Sequence, residues 1–201
     1  MKLGGKNIFL GVIVIFFLFT FCELKAIHII GGEVVYKCLR LDSVRREVRY
    51  QITFTMYRDS KSNGADFDDP ANFGIYRGGG SNWTFVSQIS GIKVQNITEI
   101  DIANNNPCIL VPVNVGVQSG VYIFEVTLPI IAENYLISFQ RCCRNNTILN
   151  LVNPGDTGAA FTTEITPQAQ LLCNNSPSFA NFPPVVICVN RPINFNHSAI
   201  D

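Results

Sequence analysis

The hydrophobic pattern of the chain changes character once. Ile8 to Phe21 is an apolar run of 14 residues behind Lys2 and Lys6, and Cys22 to Ala26 is a shorter, more polar end. That order reads as an export signal with cleavage after Ala26, and 14 residues are too few to span a bilayer comfortably. Beyond it, apolar and polar residues alternate at a period of two. Successive side chains on a strand point to opposite faces, so this alternation marks half-buried strands. REVRYQITFTMYRD is the clearest case, with Val48, Tyr50, Ile52, Phe54 and Met56 on one parity and Arg49, Gln51, Thr53 and Thr55 on the other.

Other strands follow the same logic. Val34, Tyr36 and Cys38 alternate with Val35, Lys37 and Leu39, after a Gly31–Gly32 pair suited to a bulge or a close backbone approach. Phe73 to Arg77 is expected as a short strand before the Gly78–Gly79–Gly80 turn, and Trp83 to Ile89 and Gly91 to Ile102 as two further strands with a tight turn between them. Cys108 to Val117 is extended and broken by Pro112, which suits an edge. Tyr122, Phe124, Val126 and Leu128 alternate down one arm of an expected hairpin, with Tyr135, Ile137, Phe139 and Arg141 down the other. Ala159 to Thr166 is a further strand, Pro167 to Pro184 is loop-like, and Val185 to Val189 and Ile193 to Phe195 are brief strands.

No 3.6-residue apolar period lasts ten residues outside the signal. Short strands with Gly, Asn and Pro corners predict an all-β protein, an immunoglobulin-like β-sandwich stapled by disulfides. The expected division is a signal peptide over 1–26, the sandwich over 27–166, and a Cys- and Pro-rich segment over 167–201 leading into a following domain that the chain lacks.

Composition narrows the function. From Ile27 onward 12 basic residues face 14 acidic ones, and only three of the basic ones are lysines. Without a basic face, nucleic acid is not an expected partner. The membrane enters only through the export signal. Six cysteines lie beyond the signal: Cys38, Cys108, Cys142, Cys143, Cys173 and Cys188. An even count behind an export signal reads as disulfides in an oxidising compartment, with 15 pairings open. Cys173–Cys188 is the expected local bridge, leaving Cys38 and Cys108 to take Cys142 and Cys143 in some order. On a continuing strand Cys142 and Cys143 would point to opposite faces and bolt it to partners on both sides. A metal site of sulfur and imidazole is disfavoured, since no C-x-x-C occurs and His28 and His197 stand at opposite ends.

Candidate chemistry is sparse. Neither histidine sits in a nucleophile motif, and Glu33, Glu125, Glu133 and Glu164 show no pairing across a cleft, so no enzyme is expected. Asp66, Asp68 and Asp69 supply hard oxygens at the close spacing calcium requires, or form a solvated acidic loop; no other cofactor is expected. Tyr76, Trp83 and Phe85 stand beside flexible glycines. Exposed, they would stack on sugar rings; the plainer expectation puts Trp83 in the sandwich core. Arg144 either pairs with Asp59 or Asp156 or stays solvated.

Four stretches together carry a resemblance: HIIGGEVVYKCL from His28, YRD at Tyr57 to Asp59, FQRCCRNNTILNLVNPG from Phe139, and CNNSPSFANFPPVVICVNRPINFNHSAID from Cys173. The chain resembles the N-terminal region of large, type IX-secreted surface proteins of Bacteroidetes associated with gliding motility. Such proteins continue through an acidic stretch into immunoglobulin- or cadherin-like repeats and a sorting domain. The resemblance implies an exported, cell-surface, outer membrane-associated or extracellular module, structural or adhesive in role, with a surface protein or a glycan as partner. The alternative is a carbohydrate-binding module. Two departures stand out: Ser60 occupies a position where cysteine is usual, and the sequence stops at Asp201, where the acidic continuation would begin.

Overall fold

A computed structural model describes residues 29–62, 64–100, 115–145, 147–181, 184, 187, 190 and 192–201. The expected signal over 1–26, Cys108 and Cys188, and most of the stretch predicted to extend from Cys108 lie outside the described residues.

The strands are β1 (Ile29–Asp42), β2 (Glu47–Asp59), β3 (Ala71–Gly79), β4 (Asn82–Ile92), β5 (Asn96–Glu99), β6 (Val117–Pro129), β7 (Asn134–Arg141) and β8 (Ala159–Ile165). A six-residue helix, α1 (Pro167–Leu172), follows, and the two-residue strands β9 (Ser178–Phe179) and β10 (Ala199–Ile200) pair near the C-terminal end. One sheet has the order β1-β2-β6-β5 and the other β4-β3-β7-β8, all neighbours antiparallel. The protein is an all-β sandwich.

The alternation of β2 holds along its whole length: Val48, Tyr50, Ile52, Phe54 and Met56 are buried. From β6 come Tyr122, Phe124 and Leu128, and from the opposing sheet Phe73, Ile75, Tyr135, Ile137 and Phe139. Phe54 ties the two layers, its ring centroid 4.8 to 5.6 Å from those of Phe73, Tyr122, Phe139 and Phe161. Gly32 makes this packing possible, because a Cβ there would stand about 3.0 Å from both the Phe54 ring and the Thr55 carbonyl.

The expected β6–β7 hairpin is not formed. The two arms belong to different sheets, and residues 130–133 cross the core edge between them. Each arm buries its own alternating face, and alternation is silent about which neighbour a strand pairs with. β4 and β5 are likewise split between the sheets, with Gly91 at a φ of 80° near the end of β4.

Sequence reading also missed α1. Thr166 is its N-cap, accepting a hydrogen bond from the Ala169 N–H at 3.2 Å, and Pro167 opens the first turn. The helix delivers Ala169 to the core, where the Tyr50 hydroxyl donates to its carbonyl at 3.2 Å. Gln170 is fully buried: its side-chain oxygen accepts from the Ile131 N–H at 2.9 Å, and its amide donates to the Glu133 carbonyl at 3.0 Å. One side chain therefore satisfies the backbone of the sheet-to-sheet crossing. Gln170→Ala leaves these groups buried and unpaired, and is expected to cost about 3 kcal/mol. Thermal unfolding checks this; a loss below about 1 kcal/mol would show that water replaces the amide freely.

The disulfides differ from expectation. Cys38 at the far part of β1 is bonded to Cys173, the C-cap of α1, and not to Cys142 or Cys143; Cys173 is therefore not paired with Cys188. The helix carries Cys173 back across β1, a contact that short-range reasoning could not supply. Cys142 and Cys143 are bonded to each other across a cis peptide, with Cα atoms 3.2 Å apart. They do not bolt β7 to two partners, because β7 ends at Arg141 and the strand alternation ends with it. After Cys173 the chain covers the free edge of β1: the Tyr36 N–H donates to the Ser176 hydroxyl at 2.8 Å, the Ser176 N–H to the Tyr36 carbonyl at 2.9 Å, and the Cys38 N–H to the Asn175 side chain at 2.9 Å. An open strand edge is thereby closed. Among the described residues, no helix is long and apolar enough to cross a membrane.

Candidate functional site

The outer face of the β4-β3-β7-β8 sheet gathers the aromatic residues singled out above. On β3, Phe73 and Ile75 point inward, so Tyr76 turns outward. Cross-strand partners on one face touch, and Tyr76 is opposite Phe85 on β4, with ring centroids 5.6 Å apart and planes at 69°. Phe85 is 57% exposed. Tyr76 lies down over Gly74, where a Cβ would stand 2.7 Å from its ring; glycine there is what lets the phenol lean on the sheet.

Trp83 is not in the core, against the plainer expectation. It is half-buried two residues before Phe85, and its indole N–H donates to the Gly80 carbonyl at 3.0 Å. The turn holds the ring at the sheet's end because Gly78, opposite Trp83, has a φ of 143° and the Asn82 carbonyl fills the place a side chain would take. On the other side of Tyr76, β7 adds Leu136, a half-buried apolar residue on the outward parity. That residue was legible as the one apolar member of the set Asn134, Leu136, Ser138 and Gln140.

Further along β7 the face becomes polar and then hollow. The Gln140 amide donates to the Ser138 hydroxyl at 3.2 Å. Beyond them lies a cleft of about 380 Å³ lined by Gln140, Arg141, Cys142, Gly158, Ala159 and Ala160. It exists because β8 opposes β7 there with small residues, Ala160 facing Gln140. Arg141 pairs with Asp68 at 2.9 Å, and burial pushes the Asp68 carboxyl up despite the opposing pull of that guanidinium. Arg144 pairs with neither Asp59 nor Asp156; its Nε donates to the Gly158 carbonyl at 3.3 Å, while Asp59 accepts from the Asn145 amide at 3.1 Å. A second hollow, about 250 Å³, lies between β1 and the C-terminal segment and includes Lys37, Ser178 and Asp201.

The three aspartates do not converge. Asp66 pairs with Arg58, a nearly buried cation whose guanidinium also lies 5.5 Å from the Phe67 ring centroid, and Asp68 is held by Arg141. Among the described residues, no group of three or more His, Cys, Asp or Glu side chains is placed to hold a metal ion. The glutamates are dispersed as well. Glu33 accepts from the Tyr57 hydroxyl at 2.9 Å, Glu125 pairs with Arg49, Glu133 with Arg77 at 3.6 Å, and Glu164 accepts from the Asn134 amide.

No family model, curated protein or solved structure matches the chain.

Proposed function

We propose that the chain is an exported, non-catalytic, immunoglobulin-like module of a surface protein, adhesive in role, and that it adheres by binding carbohydrate. The placement of Tyr76, Phe85 and Trp83 together on the outside of a packed sheet carries this reading. Large aromatics are normally drawn into the core, and a cluster left on the surface marks a place where apolar area is covered by something else. Sugar rings present an apolar C–H face rimmed by hydroxyls, and flat aromatic rings beside amide and hydroxyl side chains complement both. The separation of the glutamates into unrelated pairs supports a binding role over a hydrolytic one. The signal-like start, the even cysteine count beyond it and the resemblance to type IX-secreted, gliding-associated surface proteins support export to the cell surface.

A glycan array probed with the purified chain tests the reading. The expected result is binding to a defined subset of glycans and a loss of at least tenfold in that signal for Trp83→Ala. The thermal midpoint is expected to hold, since Trp83 is outside the core. Absence of glycan binding, or binding indifferent to Trp83→Ala, would contradict it.

A further inference from the structure

We propose that the cleft at the end of β7 is a second subsite on this face, and that it takes a uronic acid unit of an oligosaccharide whose neighbouring rings lie on the aromatic cluster. The inference rests on the carbohydrate reading and deepens it by naming the ligand class.

Position is the first argument. Leu136, Ser138, Gln140 and Cys142 follow one another at every second place, the first three on the outward parity of β7 and Cys142 just past its end. Tyr76 is opposite Leu136, and Gln140 is four residues further on, about 13 Å along a strand. The aromatic cluster and the cleft are therefore ends of one surface, spaced for a ligand of several linked rings rather than a single sugar. Between them Ser138 is buried, its hydroxyl engaged by the Gln140 amide, and the floor offers the exposed side chains of Gln140 and Thr162. Ala160 keeps that floor low at the cleft end, while the Tyr76 ring covers Gly74.

Charge is the second argument. Among the described residues Arg144 has no carboxylate within ion-pair distance, although Asp156 lies on the same turn region. Its Nε is fixed on the carbonyl of Gly158, itself a cleft residue, which holds the guanidinium beside the cleft with its terminal nitrogens uncommitted among the described residues. Arg141 lines the same cleft and shares its charge with Asp68. Asp68 compensates Arg141, so the surplus positive charge beside the hollow is that of Arg144. A planar guanidinium matches a carboxylate in bidentate fashion, and a space of about 380 Å³ is within the range of small-ligand sites. The sulfur wall at Cys142 and the small side chains of Ala159 and Ala160 supply the apolar contact for the ring carrying that carboxylate.

The test compares oligogalacturonate, a neutral galactose-based oligosaccharide of equal length, and a sulfated one, each titrated calorimetrically against the full chain. The expected result is at least tenfold tighter binding of oligogalacturonate than of the neutral oligomer. Arg144→Gln should bring the two to parity by weakening the acidic ligand alone, and Trp83→Ala should weaken both. Ala160→Glu, at an exposed position beside Gln140, should abolish the preference independently and guards against Arg144→Gln failing to fold. Equal binding of acidic and neutral oligomers, with Trp83→Ala still weakening both, would overturn this inference and leave the carbohydrate reading standing. A preference for the sulfated oligomer over oligogalacturonate would overturn the uronic acid assignment. Binding of none of the three would sink the carbohydrate reading itself.

Discussion

Cys173→Ser is expected to lower the stability of the folded chain by about 5 kcal/mol. The Cys38–Cys173 bond joins residues 135 apart in sequence, so it closes most of the described chain into a loop. A cross-link of that span removes more freedom from the unfolded ensemble than a local one, and the chain-entropy relation gives about 5 kcal/mol at 25 °C. The bond also carries the covering of β1, because Asn175 and Ser176 follow directly after Cys173. Urea unfolding of the wild type and the variant measures the difference. A useful contrast is the double variant Cys142→Ser, Cys143→Ser, which opens a link between adjacent residues. It closes no loop worth counting, so it should change stability by less than about 1 kcal/mol. Equal losses in the two variants would show that the long bridge does not act through the unfolded chain.

Phe54→Ala should cost about 4 kcal/mol, within the range for truncating a buried aromatic in a close-packed core. The residue is fully buried at the centre of β2 and meets rings from both sheets, so a small side chain leaves a void that neither layer can close alone. Phe54→Leu, which keeps most of the volume, should cost clearly less. Denaturant midpoints of the three proteins test the order. If alanine and leucine were equally costly, lost ring geometry rather than lost volume would govern the site.

The sandwich was legible from residues such as Tyr50, Phe54 and Tyr122 because burial of one face imposes a two-residue period. What that period cannot state is which strands become neighbours, and this is why the arms ending at Leu128 and starting at Tyr135 read as a hairpin although they lie in opposite sheets. Cysteine pairing failed for a related reason. Cys173 reaches Cys38 only through a helix of six residues, too short to show an apolar period, although Thr166 and Pro167 are its start signal. Gln170 gave no sign at all, since a buried amide among apolar neighbours looks in sequence like any polar loop residue. The aromatic site was half legible. Tyr76, Trp83 and Phe85 stand near one another in the chain, but only the outward turn of Tyr76, and Gly74 beneath it, shows that they share the solvent face. The aspartates misled because close spacing in sequence did not bring three possible ligands together among the described residues; Arg58 and Arg141 draw Asp66 and Asp68 to separate partners.

The most direct measurement is peptide mapping, without reduction, of the protein recovered from outside the cells that make it. The expected result is a cross-linked pair of peptides containing Cys38 and Cys173, together with a single peptide holding Cys142 and Cys143 that is two hydrogens lighter than its reduced form. Recovery of Cys173 joined to Cys188, of Cys38 joined to either member of the adjacent pair, or of free thiols throughout would contradict the fold's cross-linking and, with it, the proposal of an exported module.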